Sequence, residues 1–306
     1  MITIVGAGLA GSLLALELAD RGQDVTLIDQ GLGPQTATAL SYGLLSPGPA
    51  ARAWQKLQRR HGPLGLRRRW LQLSRRSLPL LAWQVDPQRF GALVAAALKR
   101  AGVVRHTRLL QTPDDLTALR DQGPLVLACG AGCRDLAPQL DGRLRCSWAG
   151  VLELNDWRLA PARCRWPAVA LLPERFSRLA LEQRAAALHD ETWIVDAALV
   201  PCGRRLLAGQ ITLVRPGLEV GAPPDAAAME QRLRQELARH WPSLAQAQGN
   251  YRQAPVSFCS TGVPLAQAVE PGLWVLAGFS GAFSQLPEAA ETMAGQIIRA
   301  DADKNG

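Results

Sequence analysis

Gly6-Ala7-Gly8-Leu9-Ala10-Gly11 is the stretch of this 306-residue chain whose residue types and spacing most directly imply chemistry. It follows the apolar run ITIV and opens a run rich in leucine and alanine, after which a second apolar run, VTLID, ends at Asp29. Strand, tight turn, helix and strand in that order are what give the three glycines a meaning. The first allows the turn, the second lets backbone approach a pyrophosphate, and the third lets helix and strand pack closely. The helix N-terminus adds N–H groups and a partial positive charge for the phosphates. Asp29 can accept both hydroxyls of a ribose and would repel a 2′-phosphate, so NADP is disfavoured. The pattern by itself does not separate NAD from FAD.

The elements that must position this motif are legible in outline. With 48% apolar and 20% charged residues the chain has the composition of a globular protein, and no apolar run approaches the roughly 20 residues of a membrane-spanning helix. The opening residues lack a basic leader and a cleavage site, which suggests a cytoplasmic protein. Six cysteines without a CxxC pair (Cys129, Cys133, Cys146, Cys164, Cys202 and Cys259) suit reduced thiols, and four scattered histidines argue against a histidine-rich metal centre. DPQRFGALVAAALKRAGV reads as a helix with Asp86 as N-cap, Pro87 at its first position and Gly102 past its end. VVRHTRLL and LVLACGAG read as strands flanking a short acidic helix near 113–121. Shorter strand-like pieces follow, interrupted by a helix from Asp225 to Trp241. The strand GLWVLAGFSG then leads to a terminal helix beginning near 286–288, with Pro287 at its start.

The chain thus begins and ends with nucleotide-type elements and carries β-rich material between. The expected fold is α/β, with a discontinuous Rossmann-type domain over 1–50, 80–145 and 255–306, a basic insertion over 51–79 and an inserted β-rich substrate domain over 146–254.

Beyond the first motif, four segments resemble the D-amino acid oxidase / glycine oxidase family of FAD-dependent enzymes, and their order does so more than any one of them. TATALSYGLLSP resembles the loop that passes close to the flavin ring, DPQRFGALVAAALKRAGV the family's helix, and LVLACGAG its strand ending near FAD. LWVLAGFSGAFSQLPEAAETMAGQI resembles the C-terminal strand, glycine loop and helix facing the flavin. The Gly-Asp usual in aromatic hydroxylases is missing from AGFSGAF, and a disulfide reductase would need a second nucleotide motif and a redox cysteine pair. The resemblance implies FAD contacts at Gly6, Ala7, Gly8, Leu9, Ala10, Gly11, Asp29 and Gln30. It implies others at Ser41, Tyr42, Gly43 and Leu44, at Arg108 and Leu109 beside the adenine, at Cys129, Gly130 and Ala131, and at Gly278, Phe279, Ser280, Gly281, Ala282, Phe283 and Ser284.

The same resemblance implies oxidation of a C–N bond in a small amine or amino acid, with hydride passing to the flavin. That chemistry depends chiefly on positioning. The arginine that commonly clamps the substrate carboxylate ahead of Pro264 falls on Val256 here, which leaves Arg252, beside Tyr251, as the candidate clamp. Tyr42 is the candidate partner, with Phe279, Gln285, Ser46 and Phe283 expected nearby. RRLLAGQITLV lacks the lysine some relatives hold over the ring, so an acceptor other than oxygen stays open.

Net charge is +8, and no acidic residue lies between Asp29 and Asp86. Arg52, Lys56, Arg59, Arg60, Arg67, Arg68, Arg69, Arg75 and Arg76 crowd the stretch 52–76 between Trp54, Trp70 and Trp83. Such a stretch is either a solvated arginine-rich surface or a site for an anionic partner or substrate, with no recognised nucleic-acid motif beside it. Two functional classes follow: an FAD-dependent amine or amino acid oxidoreductase, and a flavin-containing binding or assembly protein without that activity.

Overall fold

The computed structural model describes residues 1–306 apart from 32–35, 47, 74–78, 141, 156–168, 174, 204 and 306, so Arg75, Arg76 and Cys164 lie outside the described residues. β1 (Ile2–Val5) is buried along its whole length, as a strand covered on both faces must be. It leads through the glycine turn into α1 (Leu9–Ala19) and back to β2 (Val25–Asp29), which pairs with it in parallel. α1 is apolar on nearly all sides because it is enclosed, packed on the sheet and flanked by further helices. α2 (Ala37–Leu40) is a single turn capped by the Thr36 side chain.

The basic stretch is not one surface but two elements. α3 (Pro49–His61) starts on a proline at its first turn and buries Trp54 and Leu57, whereas β3 (Leu66–Gln72) and β4 (Leu80–Val85) form an antiparallel hairpin. α4 (Pro87–Arg100) is capped by Asp86, whose side chain accepts from Gln88 N at 3.1 Å, as the sequence leads one to expect. The run around 103–110 gives a shorter strand than expected, β5 (Val104–Thr107), so that Arg108 and Leu109 lie past its end. α5 (Asp114–Arg120), β6 (Leu125–Leu127) and the short α6 (Cys133–Leu136) follow.

Next come β7 (Leu144–Leu154), β8 (Val169–Leu171), α7 (Ser177–Arg184), β9 (Thr192–Val195), β10 (Leu199–Cys202) and β11 (Arg205–Val214). α8 (Ala226–His240) places Met229, Leu233 and Leu237 against the second sheet, and Asp225 caps it. The chain closes with β12 (Gly249–Cys259), β13 (Leu265–Glu270), β14 (Leu273–Ala277) and α9 (Ala282–Asn305). No helix among the described residues is long and apolar enough to cross a membrane.

These strands form two sheets. The first has the order β13-β14-β6-β1-β2-β5, parallel except at β13. The second runs β12-β7-β11-β10-β8-β3-β4, with β9 beside β11. Its membership departs from the simple insertion expected from sequence. β3 and β4 come from the stretch ahead of α4, and β12 runs unbroken across residue 255, so three separate chain segments build the second sheet.

The terminal helix also departs from expectation, beginning at Ala282 with Pro287 inside it. A proline there has no N–H for the carbonyl four residues earlier, that of Phe283. The indole Nε1 of Trp54 donates to that carbonyl at 2.7 Å, and the two rings stack at 6.1 Å with Phe90 edge-on to both. α3 therefore completes a helix that sequence alone makes look broken. Replacing Trp54 with Phe keeps the apolar ring and leaves the buried carbonyl unmatched, so denaturant unfolding should show a loss of about 1–3 kcal/mol.

Candidate functional site

The glycine turn lies at the C-terminal end of β1, between β2 and β6, where an open parallel sheet binds its ligand. Gly6 has φ +105°, and a Cβ there would sit 2.6 Å from the Cys129 backbone; one on Gly11 would collide with the Gly6 carbonyl. Gly8 differs, because the nearest atom to a Cβ there would be Thr38 Oγ1 at 3.5 Å. Two glycines are thus required by packing, and the middle one leaves space above the helix. Gly8 is also the N-cap residue of α1 and offers no capping side chain. Of the first-turn donors, Leu9 N binds Thr38 Oγ1 at 3.2 Å.

Asp29 is held in place by backbone. Its Oδ2 accepts from Ala7 N and its Oδ1 from Gly31 N, each at 2.8 Å. Each carboxylate oxygen retains a lone pair for a ribose hydroxyl. The uncapped helix start, the space over Gly8 and the oriented Asp29 fit the pyrophosphate and ribose of FAD. Gly8 and Ala10 would face the phosphates, while the N–H groups of Ala7 and Leu9 are engaged by Asp29 and Thr38 and Gly11 serves the packing. Gln30 is exposed beyond Asp29. Arg108 N donates to Asp29 O at 2.9 Å, while its side chain pairs with Asp115 and Leu109 is half-exposed. Cys129, Gly130 and Ala131 sit at the end of β6 against Gly6, with Cys129 Sγ 3.6 Å from Cys133 Sγ.

The other loops named from sequence meet on the same side. Gly43 has φ +63° and its carbonyl accepts from Val85 N at 2.8 Å, while Ser41 Oγ accepts from Gly43 N at 3.2 Å. Leu44 packs in the same apolar cluster as Tyr42. Ser284 Oγ accepts from Ser46 N at 2.8 Å, joining this loop to α9. Gly278 ties the terminal loop to the second sheet: its N–H donates to Ser257 Oγ at 3.3 Å and its carbonyl accepts from Cys259 N at 3.2 Å. Phe279 and Phe283 are buried, Ala282 opens the helix, and Gly281 and Gln285 are exposed, which sets Gln285 away from the buried groups.

At this junction lies a polar cluster that sequence reasoning missed. Tyr42 Oη donates to the carbonyl of Gly209, at a β-bulge in β11 that turns this carbonyl out of the ladder. Asp196 accepts from Ser177 N and Arg178 N at 2.8 and 3.0 Å, fixing the start of α7. Arg178 Nη2 then reaches the Ser280 carbonyl at 2.8 Å, and Glu182 Oε2 accepts from Ser280 Oγ at 2.8 Å. Arg178 Nε and Glu182 Oε1 are 3.6 Å apart. Burial pushes the Glu182 carboxyl above its ordinary range, with Asp196 adding to the rise and Arg178 and Ser280 opposing it. Burial also raises the Tyr42 phenol far above its ordinary value, reinforced by Asp196. Tyr42 is therefore a neutral hydrogen-bonding group and not a base. The one local signal in the sequence was the helical i,i+4 pairing of Arg178 with Glu182.

Arg252, the clamp expected from sequence, lies on β12 opposite Val151 and is bound at Nη2 to Glu153 Oε2 at 2.5 Å. Glu153 is 1% exposed, also pairs with Arg205, and accepts from Gln88 Nε2 at 3.1 Å. Arg252 thus belongs to an ion-pair network joining the second sheet to α4. Arg178 is instead the arginine in contact with the terminal glycine loop.

Comparison with known proteins agrees with this arrangement. Residues 1–84 match the family model described as FAD dependent oxidoreductase. Over 76 residues the chain is 40% identical to a D-amino acid dehydrogenase of Rhizobium rhizogenes, a match spanning 22% of this chain and 18% of that protein. Both matches cover only part of the chain, whose residues 1–84 are similar to FAD-dependent oxidoreductases. Its fold is that of glycine oxidase from Geobacillus kaustophilus, with a TM-score of 0.67 at 16% identity over 97% of this chain and 94% of that one. Iminodiacetate oxidase from Chelativorans sp. BNC1 gives 0.65 at 17% identity over 98% and 95% of the two chains. Those likenesses extend past residue 84 and cover both sheets.

Two measurements probe this site. Gly8→Ala adds a Cβ that meets only Thr38 Oγ1 at 3.5 Å, so it should fold with little change in thermal midpoint while FAD affinity, read by flavin fluorescence on reconstitution, falls at least about tenfold. Glu182→Gln tests the raised carboxyl. Below the ordinary pKa of 4.5 both proteins carry a neutral side chain there. As pH rises through the raised value, wild type loses the stability held by the neutral form, so the variant's urea midpoint should increasingly exceed that of wild type.

Proposed function

We propose that the protein is an FAD-dependent oxidoreductase that oxidises a C–N bond of a small amine or amino acid. The observation that carries this reading is the convergence of the Tyr42 loop, the 278–281 loop and the Arg178–Glu182 pair at one end of the second sheet. FAD in the Gly6–Gly11 cradle supplies the two-electron acceptor for such a reaction. The protein's part is to bind and orient the substrate. Such positioning accounts for a large share of catalysis where little acid–base work is needed.

Arg178 is the residue proposed to hold a substrate anion, in place of both Arg252 and the arginine absent at Val256. Its guanidinium is only partly occupied by the Ser280 carbonyl and by the 3.6 Å contact with Glu182, and its planar fork matches a carboxylate. Tyr42 is proposed as a neutral wall and hydrogen-bonding group beside it, and Phe279 as apolar packing that keeps water out.

A second reading, a flavin-holding partner protein without this activity, draws on Val256 and on the engagement of Arg252 with Glu153. Anaerobic mixing with a panel of amines, imino acids and amino acids distinguishes the two through the visible flavin absorbance. Bleaching by an amino acid is expected. Arg178→Ala should lower kcat/KM for that compound by about a hundredfold while FAD stays bound, and Arg252→Ala should lower the unfolding midpoint more than it lowers binding. A panel in which nothing bleaches the flavin favours the partner protein.

A further inference from the structure

Several arginines of the second sheet near α4 are paired with buried carboxylates. Arg205 and Arg252 share Glu153, and Arg67 Nη2 lies 3.1 Å from Oδ2 of the buried Asp86. Arg69 differs. Its Nε donates to Gln84 Oε1 at 3.0 Å, and among the described residues no carboxylate pairs with it. Burial lowers its pKa and the charge of Arg67 adds to that, while Cys202 and Asp86, the latter already engaged by Arg67, offset the two only in part. A half-buried guanidinium is thus held without a counter-charge of its own.

Strand geometry sets Arg69 beside the Tyr42 loop. Side chains alternate along β3, so Arg67, Arg69 and Leu71 share one face. Leu71 packs on the same apolar cluster as Tyr42 and Leu44, and that cluster includes Cys202. Gln84, which stands opposite Arg67 in the β3–β4 register, lies on this face as well. It is fully buried, and its Nε2 donates to the Tyr42 carbonyl at 2.8 Å while its Oε1 receives Arg69. Gln84 therefore fixes Arg69 against the backbone of Tyr42. At the other end of that residue the hydroxyl reaches the Gly209 carbonyl, where the charges of Asp196 and Arg178 act on it. The two arginines flank Tyr42, Arg69 at its carbonyl end and Arg178 at its hydroxyl end.

We propose that Arg69 determines specificity by binding a second anionic group on the substrate, so that the site favours an amine or amino acid carrying two carboxylates. The inference rests on the proposed function, in which Arg178 holds the first of them. Anchored through Nε, Arg69 keeps Nη1 and Nη2 for a carboxylate. Gln84 offers only a neutral oxygen, whereas a second carboxylate supplies the missing charge. A compound with one carboxylate leaves the Arg69 cation as it stands in the free protein, so the gain in affinity falls to the second carboxylate alone.

The test uses the FAD-loaded protein and two acids that lack an amine and so cannot undergo C–N oxidation: succinate, with two carboxylates, and propionate, with one. Calorimetry should show succinate binding at least about tenfold more tightly than propionate. Arg69→Gln should lower succinate affinity about tenfold and with it most of the preference, and Arg69→Lys, which keeps the charge, should retain part of it. Arg178→Ala should weaken both acids. Each variant is checked for FAD content and thermal midpoint. If Arg69 merely braces Gln84, Arg69→Gln lowers the midpoint and weakens both acids alike; that outcome, or the absence of a succinate preference in the wild type, overturns the proposal. Turnover separates it from the reading it rests on. If monocarboxylic amino acids bleach the flavin as readily as aspartate and glutamate, the specificity inference fails and the oxidoreductase stands. If no amine bleaches it while succinate binding depends on Arg69, the second anion site stands and the oxidation fails.

Discussion

Close backbone packing at the first turn is the constraint on which the remaining architecture depends. Gly6 lies against the Cys129 backbone and Gly11 against the Gly6 carbonyl, so β1, α1 and the end of β6 meet with no side chain between them. That contact directs the start of α1 into the crevice at the strand ends and brings Ala7 N onto the Asp29 carboxylate. A Cβ at either glycine would push the helix off the sheet, and the phosphate-binding geometry would go with it.

The second sheet is held to this unit by polar interactions that are themselves buried. Glu153 gathers Arg205, Arg252 and Gln88 from two strands and a helix, and Gly278 exchanges hydrogen bonds with β12. Removing one member of such a network leaves a desolvated charge behind, so each arginine contributes to the fold through Glu153. On the opposite side, Glu17 is drawn into α1 by Arg21 and Arg60. Burial raises its carboxyl, but the two guanidiniums outweigh that and the net shift is downward. The basic stretch thus contributes first to the docking of α3 on α1.

The polar cluster around Tyr42 differs from these networks in its place, at the terminal glycine loop. Asp196 there accepts from two backbone N–H groups, the Glu182 carboxyl is raised by burial, and Tyr42 stays protonated. Arg178 and Arg252 are both arginines near a buried glutamate, but Arg178 reaches the Ser280 carbonyl whereas Arg252 is bound to Glu153.

Local signals were legible in the residues themselves. The glycine motif and its following strand, the Asp86 and Asp225 caps, and the apolar stripe of α8 each depend on neighbours within a few turns, and the structure bears them out. Pro287 misled because the donor that rescues its helix, Trp54, lies more than two hundred residues away in the chain. The same holds for the second sheet, assembled from three separate segments, and for the pairing of Arg252 with Glu153. Sequence alone determined which short elements form and that one of them could cradle a dinucleotide, because those outcomes rest on local backbone geometry and side-chain period. Only the tertiary structure decided which charges are consumed in the fold and which remain at the site, because pairing between distant residues is set by their distance and burial in space, which residue order does not encode.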